Sequence, residues 1–176
     1  VTYAYDAAGG LVSVTDAAGT RSMSRDSQGR VVSYTTVRGR PGTYTYDSAG
    51  RLSASTLQLS DGSVAQREYS YDGLGRLVRF DAGWGVITYT YTPDGNLASK
   101  TLPGGRTITQ TWDARGRLST QQLTGEPLRT YAYDARDRIM SITNTQSGLS
   151  WTYARYAYDA QGRMLSWWNE HELQRT

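Results

Sequence analysis

Short stretches in which aromatic residues alternate with small or hydroxyl-bearing residues recur along the chain. One of them reads Tyr44-Thr45-Tyr46, continues with Asp47-Ser48-Ala49-Gly50, and ends in Arg51-Leu52. A spacing of two residues places both tyrosines on one face of a β-strand, and the other face then carries small or polar side chains. The pattern therefore predicts a hairpin: a strand, a tight turn, and a return strand that opens at the aliphatic residue.

This string occurs eight times, five times closely and three times in degenerate form. The second position of the Tyr-x-Tyr pair falls at residues 5, 25, 46, 71, 91, 112, 133 and 158, at intervals of 20, 21 or 25 residues. Twelve of the 14 tyrosines occupy the two Tyr positions. A fixed period of this size indicates a repeat architecture. We expect residues 1–168 to form the repeat array and residues 169–176 a non-repeat tail.

The Asp-x-x-Gly segment of each copy has the chemistry of a tight turn. Aspartate suits the first turn position, because its carboxylate accepts hydrogen bonds from nearby backbone N–H groups. Glycine supplies the left-handed residue that closes a three-residue hairpin with a bulge. Two departures fit the same turn: Asp137 stands in a glycine position and tolerates the left-handed region, and Pro93 suits the second turn position.

A second, less regular turn follows in each repeat, so that each repeat contributes two strands and two turns. Eight repeats predict about sixteen strands, in an all-β, antiparallel β-hairpin meander that coils into a curved sheet. The two intervals of 25 residues carry extra length near residues 60–66 and 144–150. We expect longer loops at those two places.

Composition and charge narrow the classes of function. Apolar residues are 38% of the chain, below the usual ~45–50%, which leaves little material for a thick core. The net charge of +3 is scattered apart from Arg38 and Arg40, which argues against nucleic-acid binding. No apolar run approaches the ~20 residues of a membrane helix. The sequence shows no signal peptide and has no cysteine for disulfides or thiolate metal sites.

The repeated string Tyr-x-Tyr-Asp-x-x-Gly-Arg-Leu resembles the Rhs/YD-repeat family, which includes bacterial Rhs toxins, toxin-complex shell subunits and teneurins. In that family the repeats wind into a hollow β-shell, or cocoon, which in the bacterial members encloses a toxic C-terminal segment before delivery. The resemblance implies that this chain is a structural shell segment of a longer secreted protein, or of one delivered by a bacterial secretion system. Its implied partners are neighbouring repeats and an encapsulated toxin polypeptide.

The sequence singles out no catalytic, cofactor-binding or metal-binding residue, and we expect no enzyme. The recurrent aspartates are interpreted as turn residues. The recurrent arginines are interpreted as a solvated or Asp-paired rim, the alternative being a charged stripe for an anionic partner; these arginines lie at positions 30, 51, 76, 117, 138 and 163. His171 lies in the tail beside two glutamates, without the partners that a metal or catalytic site needs. Some relatives cleave themselves at an Asp-Pro context, and no Asp-Pro dipeptide occurs here.

Further interpretations remain open at this stage. The tyrosine rows are expected to stack on each other across strands, but they could instead form a surface module that binds carbohydrate or a receptor. A glycosidase would need two carboxylates at a set separation, and no pair stands out from the repeat. Trp167 and Trp168, with Trp151 nearby in sequence, are candidates for contact with a partner or cargo. The open edges of the sheet predict self-association.

Overall fold

Sixteen β-strands joined by tight turns make up the described part of the chain, residues 1–169 of the computed structural model. The chain divides into two compact units, the first ending at Val86 and the second beginning at Ile87. The strands that lie in the first unit are β1 (Thr2–Tyr5), β2 (Leu11–Asp16), β3 (Gly19–Arg25), β4 (Val31–Thr35), β5 (Pro41–Tyr46), β6 (Leu52–Gln58), β7 (Val64–Tyr71) and β8 (Leu77–Asp81).

The second unit continues the same hairpin pattern. Its strands are β9 (Val86–Tyr91), which opens at the unit boundary, β10 (Leu97–Thr101), β11 (Thr107–Trp112), β12 (Leu118–Leu123), β13 (Leu128–Tyr133), β14 (Ile139–Gln146), β15 (Leu149–Tyr158) and β16 (Met164–Asn169). Within each unit, every strand pairs antiparallel with the next one along the chain. The predicted all-β, sixteen-strand hairpin meander is confirmed.

The two faces of the strands differ as the alternation predicts. In β5 the side chains of Tyr44 and Tyr46 are half-buried, whereas Thr43 and Thr45 are exposed. The exposed face carries pairs of hydroxyl groups at registered positions of neighbouring strands, such as Thr43 with Thr56 at 2.7 Å. Similar pairs join Ser24 to Ser33, Thr90 to Ser99 and Thr111 to Thr120. Cross-strand pairs of this kind help fix the register of an antiparallel sheet.

Each Tyr-Asp hairpin closes as the sequence predicts. In the turn of the third copy, the Asp47 N–H donates to the Arg51 carbonyl at 2.8 Å and the Gly50 N–H donates to the Asp47 carbonyl at 2.9 Å. Gly50 has φ of 80°, which is the left-handed residue of a three-residue hairpin. Asp137 takes the same position with φ of 64°, as expected.

A β-bulge follows every one of these turns, on the return strand. Tyr46 pairs with Leu52, but Thr45 pairs with Ala54, so that Ser53 is an extra residue on the return strand. The same shift occurs in the seven other Tyr-Asp hairpins. Because a bulge increases local twist, each repeat carries a twist-promoting element at a fixed position.

The prediction of longer loops at residues 60–66 and 144–150 is wrong. The extra residues lengthen strands instead: Gln58 pairs with Val64, and Gln146 pairs with Leu149. The first connection keeps the five-residue form of the other turns. The second is a two-residue turn in which Ser147 and Gly148 both have positive φ, 52° and 81°, which suits the right-handed twist of the flanking strands.

The described residues contain almost no enclosed core. Ala154 is the buried apolar side chain, at 3% exposed, and no described side chain is less than 2% exposed among the large residues. This follows from the low apolar content and from strands that are packed side by side. No helix of the described residues is long and apolar enough to cross a membrane. Stability must therefore come from contacts between neighbouring strands and repeats.

Candidate functional site

The Asp47 carboxylate holds both its own turn and the arginine that follows it. Oδ1 accepts hydrogen bonds from the backbone N–H groups of Ala49 and Arg51, both at 2.9 Å. Oδ2 accepts from Nε of the Arg51 side chain at 2.7 Å. The carboxylate thus uses one oxygen for the backbone and the other for the guanidinium, so the arginine leaves the turn in a fixed direction.

Six of the eight copies share this arrangement. The pairs are Asp26–Arg30, Asp47–Arg51, Asp72–Arg76, Asp113–Arg117, Asp134–Arg138 and Asp159–Arg163, with Nε to Oδ2 distances of 2.6–2.8 Å. The backbone N–H of the arginine is the main cause that lowers the pKa of Asp47, Asp72 and Asp134 below the ordinary value. These carboxylates are therefore ionised at neutral pH and remain acceptors.

The backbone turn itself does not require the aspartate. The connections that open at Leu59 and Leu102 form the same two backbone hydrogen bonds, and a leucine side chain cannot accept any. Thr36 and Thr92 also open such turns, each with its hydroxyl accepting one backbone N–H at 3.1 Å. What the aspartate adds is a second oxygen that fixes the arginine.

The arginine guanidinium then lies over a tyrosine ring of the next repeat. The Arg51 carbon Cζ is 4.6 Å from the centre of the Tyr71 ring. Equivalent contacts of 4.3–4.5 Å join Arg30 to Tyr46, Arg117 to Tyr133 and Arg138 to Tyr158. A guanidinium over an aromatic face is attracted by the ring quadrupole, by about 0.5–1 kcal/mol when exposed and more when desolvated.

The same tyrosine donates a hydrogen bond back to the preceding repeat. The Tyr71 hydroxyl donates to the Leu52 carbonyl at 2.9 Å, and Leu52 directly follows Arg51. Matching bonds of 2.8–2.9 Å join Tyr46 to Val31, Tyr133 to Leu118 and Tyr158 to Ile139. In two copies another residue replaces the tyrosine, and its side chain donates the equivalent hydrogen bond. Trp112 Nε1 donates to the Leu97 carbonyl at 2.8 Å, and the Arg25 guanidinium donates to the Leu11 carbonyl at 3.4 Å.

We call this unit the repeat clasp: the Asp, the Arg and the following carbonyl of one repeat, with the second Tyr of the next. It joins each hairpin that carries it to the next. The sequence correctly predicted the Asp–Arg rim but missed the contact to the next repeat. A signal was present, because the arginine and its ring partner are separated by 16 or 20 positions, which places them in successive hairpins.

The expectation that tyrosines stack mainly on each other needs correction. Aromatic pairs do occur, with ring centroids 5.1 Å apart for Tyr34–Tyr44 and 5.2 Å for Tyr69–Phe80. The recurring partner of the second tyrosine is nevertheless an arginine. In four copies the arginine that leaves the preceding Tyr-Asp turn lies against the ring.

One pair of carboxylates does come together. Glu68 and Asp81 face each other across β7 and β8. Arg79 bonds to both, at 3.5 Å to Glu68 and 2.6 Å to Asp81. The backbone N–H of Gly83 is the main cause that lowers the Asp81 pKa. Both carboxylates are therefore bound by one guanidinium, as in a structural ion pair.

The remaining sequence candidates are placed as follows. Trp167 and Trp168 are 51% and 44% exposed, and the Arg155 guanidinium lies 4.9 Å from the Trp168 ring. His171 lies outside the described residues. Within residues 1–169, no group of three or more His, Cys, Asp or Glu side chains could hold a metal ion.

Two family models match the chain. The teneurin YD-shell model matches residues 1–125, and the RHS repeat model matches residues 133–166. A comparison with curated proteins gave no match.

Several solved structures share the fold. The crystal structure of TcdB2-TccC3-TEV matches with a TM-score of 0.76 and 19% identity, over 93% of this chain and 10% of the other. The crystal structure of TcdB2-TccC3 without its hypervariable C-terminal region gives the same values. A Photorhabdus luminescens Tc holotoxin pore with a substitution in TccC3 matches with a TM-score of 0.69 and 20% identity, over 83% and 9%. This chain spans about a tenth of the length of those chains.

Proposed function

Because the chain belongs to the teneurin YD-shell family, we propose that it forms part of the wall of a shell that, in its full-length protein, encloses a toxin polypeptide and helps deliver it. The wall has no catalysis of its own in this proposal. The observation that carries it is the repeat clasp, since the Asp, Arg and second Tyr of the motif together fasten one hairpin to the next.

A wall that is one sheet thick needs such fasteners. A globular domain derives most of its stability from apolar burial in a core, and the described residues have almost none. In a linear array, stability is approximately the sum of the repeat terms and of the interfaces between neighbours. The clasps supply such interface terms between neighbouring hairpins within each unit.

The partners that we propose are neighbouring repeats and the enclosed polypeptide. Tyr3 and Tyr5 of the first copy are 58% and 61% exposed, whereas the matching Tyr44 and Tyr46 are half-buried. A hairpin that offered an arginine and a carbonyl could complete a clasp on Tyr5. A further repeat of the same protein or a second copy of the chain meets that description, and strand edges also favour such pairing. We propose a secreted or delivered bacterial protein as the setting.

The tyrosine rows do not support the alternative of a carbohydrate- or receptor-binding surface. The faces of the Tyr46 and Tyr71 rings are occupied by arginines, and their hydroxyls are already bonded. A ligand that stacked on them would have to displace the clasp.

Protease protection in the full-length protein tests the proposed function. We expect the enclosed polypeptide to be digested at least tenfold more slowly inside the intact protein than when produced alone. A variant with Arg51→Gln and Arg138→Gln should lose part of this protection. Arg21→Gln, which removes an exposed ion pair with Asp16 outside the clasps, is the matched control. Equal digestion rates for the enclosed and the free polypeptide would contradict the proposal.

A further inference from the structure

A cavity of about 280 Å³ lies in the second unit, beside the hairpin that joins β12 to β13. Its lining includes Ile108, Leu123, Glu126, Pro127, Arg129 and Asn144. This volume lies just below the range of about 300–1,000 Å³ that is typical of small-ligand sites, so the cavity suits a ligand of the size of one amino-acid residue. None of the residues that line it belongs to a repeat clasp.

The cavity is located where β12 and β13 separate. Their register in the described residues covers two pairs, of which the last joins Gln121 to Arg129. Further along β12, the Thr124 N–H donates instead to the Thr107 carbonyl of β11 at 2.9 Å. Pro127 has no N–H with which to extend the ladder from the other side. The two strands therefore stop pairing beyond Gln121 and Arg129, and the cavity lies at that point.

The register of four strands gives the cavity a polar side and an apolar side. Gln121 pairs with Arg129, and Arg129 pairs with Asn144 of β14. Residues directly opposite each other share a face of the sheet, so these three side chains form a polar row. Ile108 pairs with Leu123, which lies two residues after Gln121 and therefore on the same face. A ligand in the cavity thus meets polar groups on one side and aliphatic groups on the other.

The Asn144 side chain supplies an acceptor that has no donor. Asn144 is 6% exposed, and within residues 1–169 its Oδ1 has no hydrogen-bond partner. A buried carbonyl oxygen without a partner is unfavourable, because it has given up its hydrogen bonds to water. A ligand that carries an N–H group would satisfy this atom.

The Arg129 guanidinium supplies the positive charge of the cavity. Its carbon Cζ lies 4.9 Å from the centre of the Tyr153 ring, and it forms no ion pair with any residue that the structure describes. Glu126, the acidic residue of the lining, is already paired with Arg106 at 3.1 Å. The cavity therefore favours a carboxylate, which a guanidinium binds through two parallel N–H···O bonds.

We propose that this cavity binds the carboxyl-terminal residue of a peptide, when that residue has an apolar side chain. The terminal carboxylate pairs with Arg129, and the N–H of the same residue donates to Asn144 Oδ1. The side chain lies against the aliphatic wall formed by Ile108, Leu123 and Pro127. Arg129 and Asn144 are cross-strand partners, which matches the short separation of the N–H and carboxylate groups within one residue.

Binding requires one rearrangement. Asn144 Oδ1 is shielded from solvent, and the exposed residue Arg129 stands directly opposite on β13. The Arg129 side chain turns from the Tyr153 ring to the ligand carboxylate, and this movement gives the ligand N–H access to the oxygen. The site is independent of the shell proposal, since it uses other residues.

The experiment measures binding of acetylated tripeptides to the isotope-labelled, purified chain by NMR titration. For acetyl-Ala-Ala-Phe with a free carboxylate, we expect saturable shifts and a Kd of about 0.1–5 mM, in keeping with a ligand that buries one residue. Three related peptides each lack one of the recognised groups: the carboxamide, the peptide with an N-methylated terminal residue, and acetyl-Ala-Ala-Ala. Each should bind at least about fivefold more weakly, because one contact is lost.

Two variants connect these groups to their partners. Arg129→Gln should weaken binding of the carboxylate peptide about tenfold and remove its advantage over the carboxamide, whereas Arg129→Lys should retain part of that advantage. Asn144→Leu should remove the advantage over the N-methylated peptide. Because Arg129 is exposed, Arg129→Gln tests the proposal even if Asn144→Leu does not fold. Arg21→Gln removes the same charge in the first unit and is the control, with a change of less than about twofold.

Four results would overturn the proposal. They are the absence of saturable binding by acetyl-Ala-Ala-Phe, equal affinity of the wild type for this peptide and its carboxamide, affinity that is unchanged in Arg129→Gln, and binding of N-acetylphenylalanine without binding of the tripeptide. The last result would identify the cavity as a site for a small free carboxylate that excludes a peptide chain.

Discussion

Arg51 leaves the turn of one repeat, and its guanidinium carbon lies 4.6 Å from the centre of the Tyr71 ring in the next. Arg51 Nε donates to Asp47 Oδ2 at 2.7 Å. The Tyr71 hydroxyl donates to the carbonyl of Leu52, the residue that follows Arg51. Arg51 therefore has one partner in its own repeat, Asp47, and one in the next, Tyr71. This relationship explains why the Tyr, Asp and Arg of the motif recur together.

The tyrosine hydroxyl should contribute measurably to stability. Tyr71→Phe keeps the ring under Arg51 but removes the donor to the Leu52 carbonyl. We expect a loss of about 1 kcal/mol in the free energy of unfolding, the usual net value of one such bond. Urea denaturation measures it. Tyr5→Phe, at the matching but 61% exposed position, should change stability by less than about 0.5 kcal/mol; equal losses for the two variants would contradict the assignment.

A comparison of Arg138 with Arg163 distinguishes the contribution of the ion pair with aspartate from that of the contact with the tyrosine ring. Both pair with an aspartate four residues earlier, at 2.7 Å and 2.6 Å. Arg138 also lies 4.3 Å from the Tyr158 ring, whereas the Arg163 side chain is 79% exposed. Arg138→Gln should cost about 1–2 kcal/mol, and Arg163→Gln should stay within about 0.5 kcal/mol. Thermal unfolding of the two variants checks this, and a larger loss for Arg163→Gln would refute it.

Gly42 should resist substitution because a ring covers it. A Cβ at this position would lie 2.3 Å from Cζ of Tyr34, which pairs with Gly42 across β4 and β5. Gly42→Ala must displace the ring and its stack on Tyr44, so we expect a loss of about 1–3 kcal/mol. Gly73→Ala is the matched control, because nothing lies within 4 Å of its added Cβ and alanine stands there in other copies. Its effect should be near zero, and a control loss as large as that of Gly42→Ala would show that ring displacement is not the cause.

The free energy of unfolding should decrease in acid and stay constant near pH 7. Backbone N–H groups lower the pKa of Asp47, Asp72 and Asp134 in the folded chain. Their contribution is complete above the unfolded value of about 3.9, and it is lost as the pH falls through the lower folded values. Melting temperatures should therefore be constant from pH 7 to 5 and decline below about pH 4. A triple variant with asparagine at these positions should be less stable at pH 7 and less sensitive to acid; a wild-type chain that is most stable below pH 4 would disprove this.

The sequence predicted the parts of the fold that depend on local chemistry. The Asp-x-x-Gly turn is fixed by a carboxylate and by one left-handed residue, and even Asp137 was placed correctly. The contact between Arg51 and Tyr71 depends instead on how neighbouring hairpins register, which no short motif specifies. The same holds for residues 64–66, which belong to β7 because their backbone finds partners in β6.

The most direct test of the clasp is a double-mutant cycle between Arg138 and Tyr158. The free energy of unfolding is measured for the wild type, Arg138→Gln, Tyr158→Leu and the double variant. If the arginine fastens its repeat to the next through this ring, the coupling energy should be about 1 kcal/mol, because the residues are in direct contact. A coupling energy below about 0.3 kcal/mol, within the range of independent sites, would contradict the account.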